Sequence, residues 1–378
     1  MLAAATVAVV VHADSHPPDD EAGPAPSPPT TVPATASTAV PGMESIEAVL
    51  PELEAFVARE RGLVFKKAVE VQLVGEAEFR ARVNEVDDKD REDLRDAQAV
   101  LFAMGLLEED VDLVAVVASF SEDSILGFYD PDSEELVVRG TTATPFVRGV
   151  LVHELTHALE DQHFDLNRED LGDEATIGFD ALAEGSALRI EDRYRRSLTR
   201  KEQREAARAE DEFGAGVPDD VPDVIQLAFG FPYVYGPDLV TAIMRAGGQA
   251  RLDHAFADPP ASSEQVLEPR RYLRGDAPRS VPVPKADRPT FDDGEIGELF
   301  LILMLRAELE DDDALAASRG WGGDSYVAWR DGRRTCVRMS FVMDTPEDTA
   351  QLTEALRDWA DRRGSGASAS GSSLTTCG

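Results

Sequence analysis

The stretch HELTHALEDQHFDL, residues 153–166, holds three of the chain's six histidines. His153 and His157 stand four apart, so on a helix they lie one turn above each other and can aim ring nitrogens at one ion. Glu154 sits beside them, offset enough to miss the ion while holding a water bound to it. A metal lowers the pKa of such a water, and a neighbouring carboxylate takes its proton. That pattern points to Zn2+ and to hydrolysis, but a metal needs a third protein ligand.

Two residues compete for that role. His163 completes the spacing HExxHxxGxxH of the metzincins, in which a glycine breaks the helix and swings the third histidine back. Glu160 stands at the glycine position here, and it is a good helix former that resists a left-handed turn. If the helix continues, His163 sits roughly 240° round from His157 and faces away. The other candidate is Glu184 in DALAEGSALRIEDRY, which matches the gluzincin plan of HExxH followed by a glutamate on a second helix. Two histidines and a carboxylate leave the fourth zinc position open. Asp180, one turn earlier, could accept the free N–H of a ligand histidine or simply face solvent. An Asp four residues after the ligand Glu would add support, and Leu188 stands there instead.

Such a site also needs a donor for the developing oxyanion. Tyr233, Tyr235 and His254 are the candidates; for each tyrosine the plainer reading is an aromatic packed at a helix entry. The acidic run Asp311–Asp313 lacks the alternating oxygen ligands of a calcium loop.

The elements that must position these residues follow from periodicity. TPFVRGVLVHELTHALEDQ predicts a helix, with Thr144 as cap and Pro145 in its first turn. ATIGFDALAEGSALRIEDRYRRSLTRKEQREAARAEDEFG predicts a second long helical stretch, and PDLVTAIMRAGG a third. Ahead of them, MESIEAVLPELEAFVARER reads as a helix, KAVEVQLV and DLVAVVASF as strands, and ILGFYDPDSEELVVRG as a hairpin. That hairpin could offer an edge strand to an extended peptide or be a plain sheet edge. Near the end, DSYVAWRDGRRTCVRMSFVM has strand–turn–strand form about an Asp-Gly pair, and a helix capped by Thr345 follows. Strands ahead of a buried helix pair, then mostly helices, give an α+β domain over residues 44–362.

The net charge of −36, from 73 acids against 37 bases, argues against nucleic acid as a partner. Residues 1–12 are a signal-like apolar run too short to span a bilayer. Residues 13–43 are a Pro/Ala/Thr-rich tether. This order suggests export to a secreted or cell-surface location. Cys336 and Cys377 are the only cysteines, and a disulfide between them would pin the Gly/Ser-rich tail, residues 363–378, to the core.

Beyond the zinc motif, the chain resembles a group of exported bacterial and archaeal zincin-like proteins, mostly predicted metallopeptidases. The resemblance rests on HELTHALEDQHFDL, ALAEGSA, FPYVYG, PPASSEQVLEPRRYL, IGELF and GWGGDSYVAW. It implies a zincin-like domain with a small mixed sheet packed on the HExxH helix and a predominantly helical C-terminal half. It also implies a gluzincin-like site of His153, His157 and Glu184 with Glu154 as base, acting on a peptide or protein substrate. Two positions depart from the group: Ser186 stands in place of Asp, and Glu268-Pro269 in place of His-Pro. They keep a second expectation open, a catalytically inactive zincin-fold protein that binds a surface partner.

Overall fold

The cap signals written in the chain start the helices where they predict. The Thr144 side chain accepts from Val147 N, and α-helical structure runs unbroken from Pro145 to Phe164. Thr345 and Asp348 cap each other's backbone amides ahead of Pro346–Arg363. The computed structural model describes residues 44–85, 88–168, 170–214 and 221–378; the signal-like segment and the tether lie outside the described residues.

In chain order the helices are α1 (Ile46–Arg61), α2 (Glu76–Val83), α3 (Asp88–Ala103), α4 (Leu113–Ser124), α5 (Pro145–Phe164), α6 (Asp173–Ser197), α7 (Arg200–Gly214) and α8 (Asp223–Ala257). They continue with α9 (Ser263–Leu267), α10 (Pro269–Arg274), α11 (Gly297–Arg306), α12 (Asp311–Ser318) and α13 (Pro346–Arg363). The strands are β1 (Glu70–Val74), β2 (Gly127–Asp130), β3 (Glu135–Arg139), β4 (Thr290–Gly294), β5 (Trp321–Asp331), β6 (Arg334–Met343), β7 (Ala367–Ser370) and β8 (Ser373–Cys377). Three strands form a mixed sheet in the order β1-β3-β2, with β1 parallel to β3. Five form an antiparallel sheet in the order β4-β5-β6-β8-β7. The class is therefore α+β.

Three expectations need correction. DLVAVVASF is a helix, not a strand: Asp112 caps it by accepting from Ala115 N, and Leu113 and Phe120 share a buried face. The long helical stretch after the HExxH segment is two helices, broken between Ser197 and Arg200. The C-terminal half is predominantly helical, as expected, and it also holds the larger sheet. Residues 363–378 are not a loose tail: β7 and β8 complete that sheet, with Cys336 opposite Cys377 in register and joined to it by a disulfide.

Two apolar cores meet along α6. Leu151, Val152, Leu155, Ala158 and Leu159 of α5 pack with α1, β2 and β3, and Ile190 and Tyr194 of α6 join them. Phe179, Ala181, Leu182 and Ala183 of α6 belong instead to the core shared with α8, α11, α13 and the five-stranded sheet. The contact of α6 with α8 is backbone to backbone. A Cβ on Gly185 would lie 2.3 Å from the carbonyl of Gly236, closer than real Cβ atoms approach anything.

The N-terminal end of α6 is fixed by a buried polar joint. Glu174 accepts from Ser263 N at 2.8 Å and from its hydroxyl at 2.7 Å. Asp324 accepts from Ile296 N and Gly297 N, both at 2.9 Å, and from Trp321 Nε1 at 2.8 Å. Gly297 has φ of 72°, and a Cβ there would collide with the Glu174 carboxyl. The motifs PPASSEQ, IGELF and GWGGDSY thus meet as a joint that holds α6 to the sheet.

Candidate metal centre

Three side chains converge where α5 faces α6. His153 Nε2 lies 3.0 Å from Glu184 Oε2 and 3.0 Å from His157 Nε2, and His157 Nε2 lies 3.6 Å from Glu184 Oε2. Ligands held at about 2.0–2.1 Å around a tetrahedral ion stand about 3.3 Å apart, so these atoms outline one face of such a shell. Among the described residues, this is the one group of three such side chains whose ligand atoms converge.

The donor set is oriented from behind. His153 Nδ1 lies 3.1 Å from Glu191 Oε2; with Nδ1–H donating there, an ion would find the Nε2 lone pair once the Nε2 proton is displaced. Arg195 pairs with Glu191 at 2.8 Å and with Glu210 of α7 at 2.6 Å. Glu191 was missed in the sequence. Its signal is the spacing in EGSALRIE, where two turns of helix return it to the face of Glu184. Asp180, expected in this role, is not the partner. It lies near Glu184, and burial with that like charge pushes its carboxyl up to about 8.

Electrostatics separate the carboxylates. Burial alone would raise Glu184, but His157 and His153 outweigh it and hold the carboxyl at about 2. Burial also opposes a charged His153, yet its hydrogen bonds to Glu184 and Glu191 lift it well above its ordinary value. Burial raises Glu154 to about 7 against the pull of the two histidines. Its Oε2 accepts from the outward-facing amide of Tyr129 on the edge strand β2, at 2.9 Å. Its Oε1 is buried with no partner. That leaves one oxygen anchored and one available, the arrangement of a base that must hold a water. The Tyr129 hydroxyl donates to Asp161 at 2.7 Å, so β2 lies along α5, and the Tyr129 amide at the sheet edge is already taken.

Among the described residues, His163, Tyr235 and His254 are not joined to this group. His163 Nε2 meets the carbonyl of Val64 at 2.8 Å, as a helix that continues through Glu160 requires. Tyr233 packs against the larger core. Tyr235 is exposed and its ring pairs with Phe231. His254 is exposed near the end of α8. Among the described residues no hydrogen bond or ring contact joins Tyr235 or His254 to the four central side chains.

A domain family of unknown function, DUF8575, matches residues 287–376. That span begins just before β4 and ends in β8, so it covers the five-stranded sheet with α11–α13 and none of the metal-centre residues. No curated protein and no solved structure matches the chain. No helix of the described residues is long and apolar enough to cross a membrane.

Proposed function

We propose that the chain is a zinc-dependent metallopeptidase of gluzincin type, with a zincin-like arrangement around α5 and α6. One observation carries this reading: His153, His157 and Glu184 present ligand atoms 3.0–3.6 Å apart beside a glutamate with one anchored and one unpartnered oxygen. Zinc held there would supply Lewis acidity towards a water and a peptide carbonyl. The chain's own residues do the rest. Glu191 keeps His153 in the ligating tautomer. The Tyr129 amide fixes the Glu154 carboxylate. Glu154 Oε1 takes the proton of the attacking water and delivers it to the leaving amine. With the disulfide and the signal-like start, this reading makes the enzyme a secreted or cell-envelope protein acting on peptides or proteins.

A second reading has its own support. His153, Glu154, His157 and Glu184 are at most 3% exposed, and closed metal sites are typically structural. In that case the domain binds metal without catalysis and serves as a surface binding protein.

Metal analysis and peptide hydrolysis test both. Zinc is expected at one per chain in the wild type and in His163→Ala, and to be lost in Glu184→Ala. Loss of zinc in His163→Ala alone would sink the ligand set. Zinc uptake with no turnover across a broad peptide library would favour the second reading.

A further inference from the structure

Glu160, the residue that blocks a metzincin-type turn, is fully buried. Its Oε1 accepts from two other helices at once. Arg61 Nε, at the end of α1, donates to it, and so does Ser186 Oγ of α6 at 2.5 Å. Arg61 is itself fully buried and also pairs with Asp253 of α8 at 2.6 Å. Its guanidinium lies 5.4 Å and 5.5 Å from the ring centroids of Phe164 and Phe256. Four helices therefore meet at the Arg61–Glu160 pair.

The position of this knot gives it a consequence for the metal centre. Glu160 stands on the turn after His157, and Ser186 stands two residues after Glu184, so the bond crosses between α5 and α6 within a turn of the ligands on both. We propose that Arg61 is a positioning residue for the metal centre: through Glu160 and Ser186 it sets the register of α5 against α6, and hence the spacing between the histidine pair and Glu184. The proposal rests on the metal-binding reading above.

Physics favours this role over a contribution to bulk stability. A buried ion pair gains little net energy over an apolar pair of similar volume, and its best-attested use is to specify one arrangement. A metal shell tolerates errors of only about 0.2 Å in its distances, whereas a slip of one residue turns a helix by roughly 100°. Apolar ridges alone allow small sliding; a shared carboxylate oxygen does not.

Cobalt(II) titration of the metal-free full chain tests the idea, read by calorimetry and by the visible d–d absorption that reports ligand geometry. The variants are Ser186→Ala and the charge-neutral double variant Arg61→Met/Glu160→Gln. With far-UV circular dichroism unchanged, both are expected to bind cobalt about tenfold or more weakly and to alter the absorption envelope. Wild-type affinity and spectrum in both would make the knot merely structural and overturn the proposal. If the double variant does not fold, Ser186→Ala decides alone, because it keeps the Arg61–Glu160 pair. A wild type that takes up no cobalt overturns the metal reading itself, a failure distinct from loss in the variants.

Discussion

Glu174 and Glu184 are both buried on α6, yet they titrate in opposite directions. Burial raises Glu174 to about 8, because its hydrogen bonds come from neutral Ser263 groups and its charged neighbours, Asp324 and Glu295, are acids. Glu184 falls to about 2, because two histidines face it and outweigh the same burial penalty. The difference teaches that the partner set, not burial, decides what a buried carboxylate is for. At one end of α6 a carboxyl is a joint to the C-terminal sheet; in the middle of the helix another is held ionised between two histidines.

The largest expected effect lies at the ionised site. Glu154→Gln should cut peptide hydrolysis by about 10²–10⁴-fold while leaving cobalt or zinc uptake unchanged. Hydrolysis at the wild-type rate would remove Glu154 from the proposed role of base. On the sheet side, replacing Cys336 and Cys377 by Ser should lower unfolding free energy by about 4 kcal/mol by loop-closure reasoning, for a sequence separation of 41. Urea denaturation measures that loss, and the native-state metal affinity should not move with it. Between the two regions, Gly185→Ala should destabilise by about 1–3 kcal/mol, because the added Cβ meets the Gly236 backbone. A wild-type urea midpoint would show that α6 and α8 can part at no cost.

The smallest effect tests the joint itself. The folded-state pKa of Glu174, about 8, lies above its ordinary 4.5. Its contribution is therefore fully present below about pH 4.5 and lost as pH rises through about 8. Asp324, raised to about 7 chiefly by burial, acts in the same direction. Glu184 has the opposite sign: its contribution is present above pH 4.5 and lost as pH falls through about 2. Glu174→Gln should flatten the decline in stability between pH 5 and pH 8, read from urea midpoints across that range. An unchanged slope would count against a protonated joint.

Much of the site was readable before folding. HExxH places His153 and His157 on one face with Glu154 beside them through helical spacing alone, and Glu160 argued correctly that the helix runs on and carries His163 away. Glu184 was legible because a second long helix bore a glutamate among small residues. Glu191 was not, because its role depends on which face of α6 meets His153. The misreading of DLVAVVASF has a related cause. β-branched residues favour a strand locally, but the Asp112 cap and burial of one face in the core override them. Gly/Ser composition suggested a loose tail after residue 362, whereas pairing with β6 makes it sheet.

The sequence by itself determined the helix starts, the grouping of His153, Glu154 and His157 on one helix, the C-terminal hairpin and the one available disulfide, because caps, periodicity and cysteine count are local or countable. Tertiary structure alone decided that Glu184 comes within 3.6 Å of both histidines, that Glu191 meets His153 Nδ1, and that Arg61 meets Glu160 and Glu160 meets Ser186. Those outcomes depend on how α1, α5, α6 and α8 cross. That crossing is set by distant packing surfaces, which no local pattern encodes.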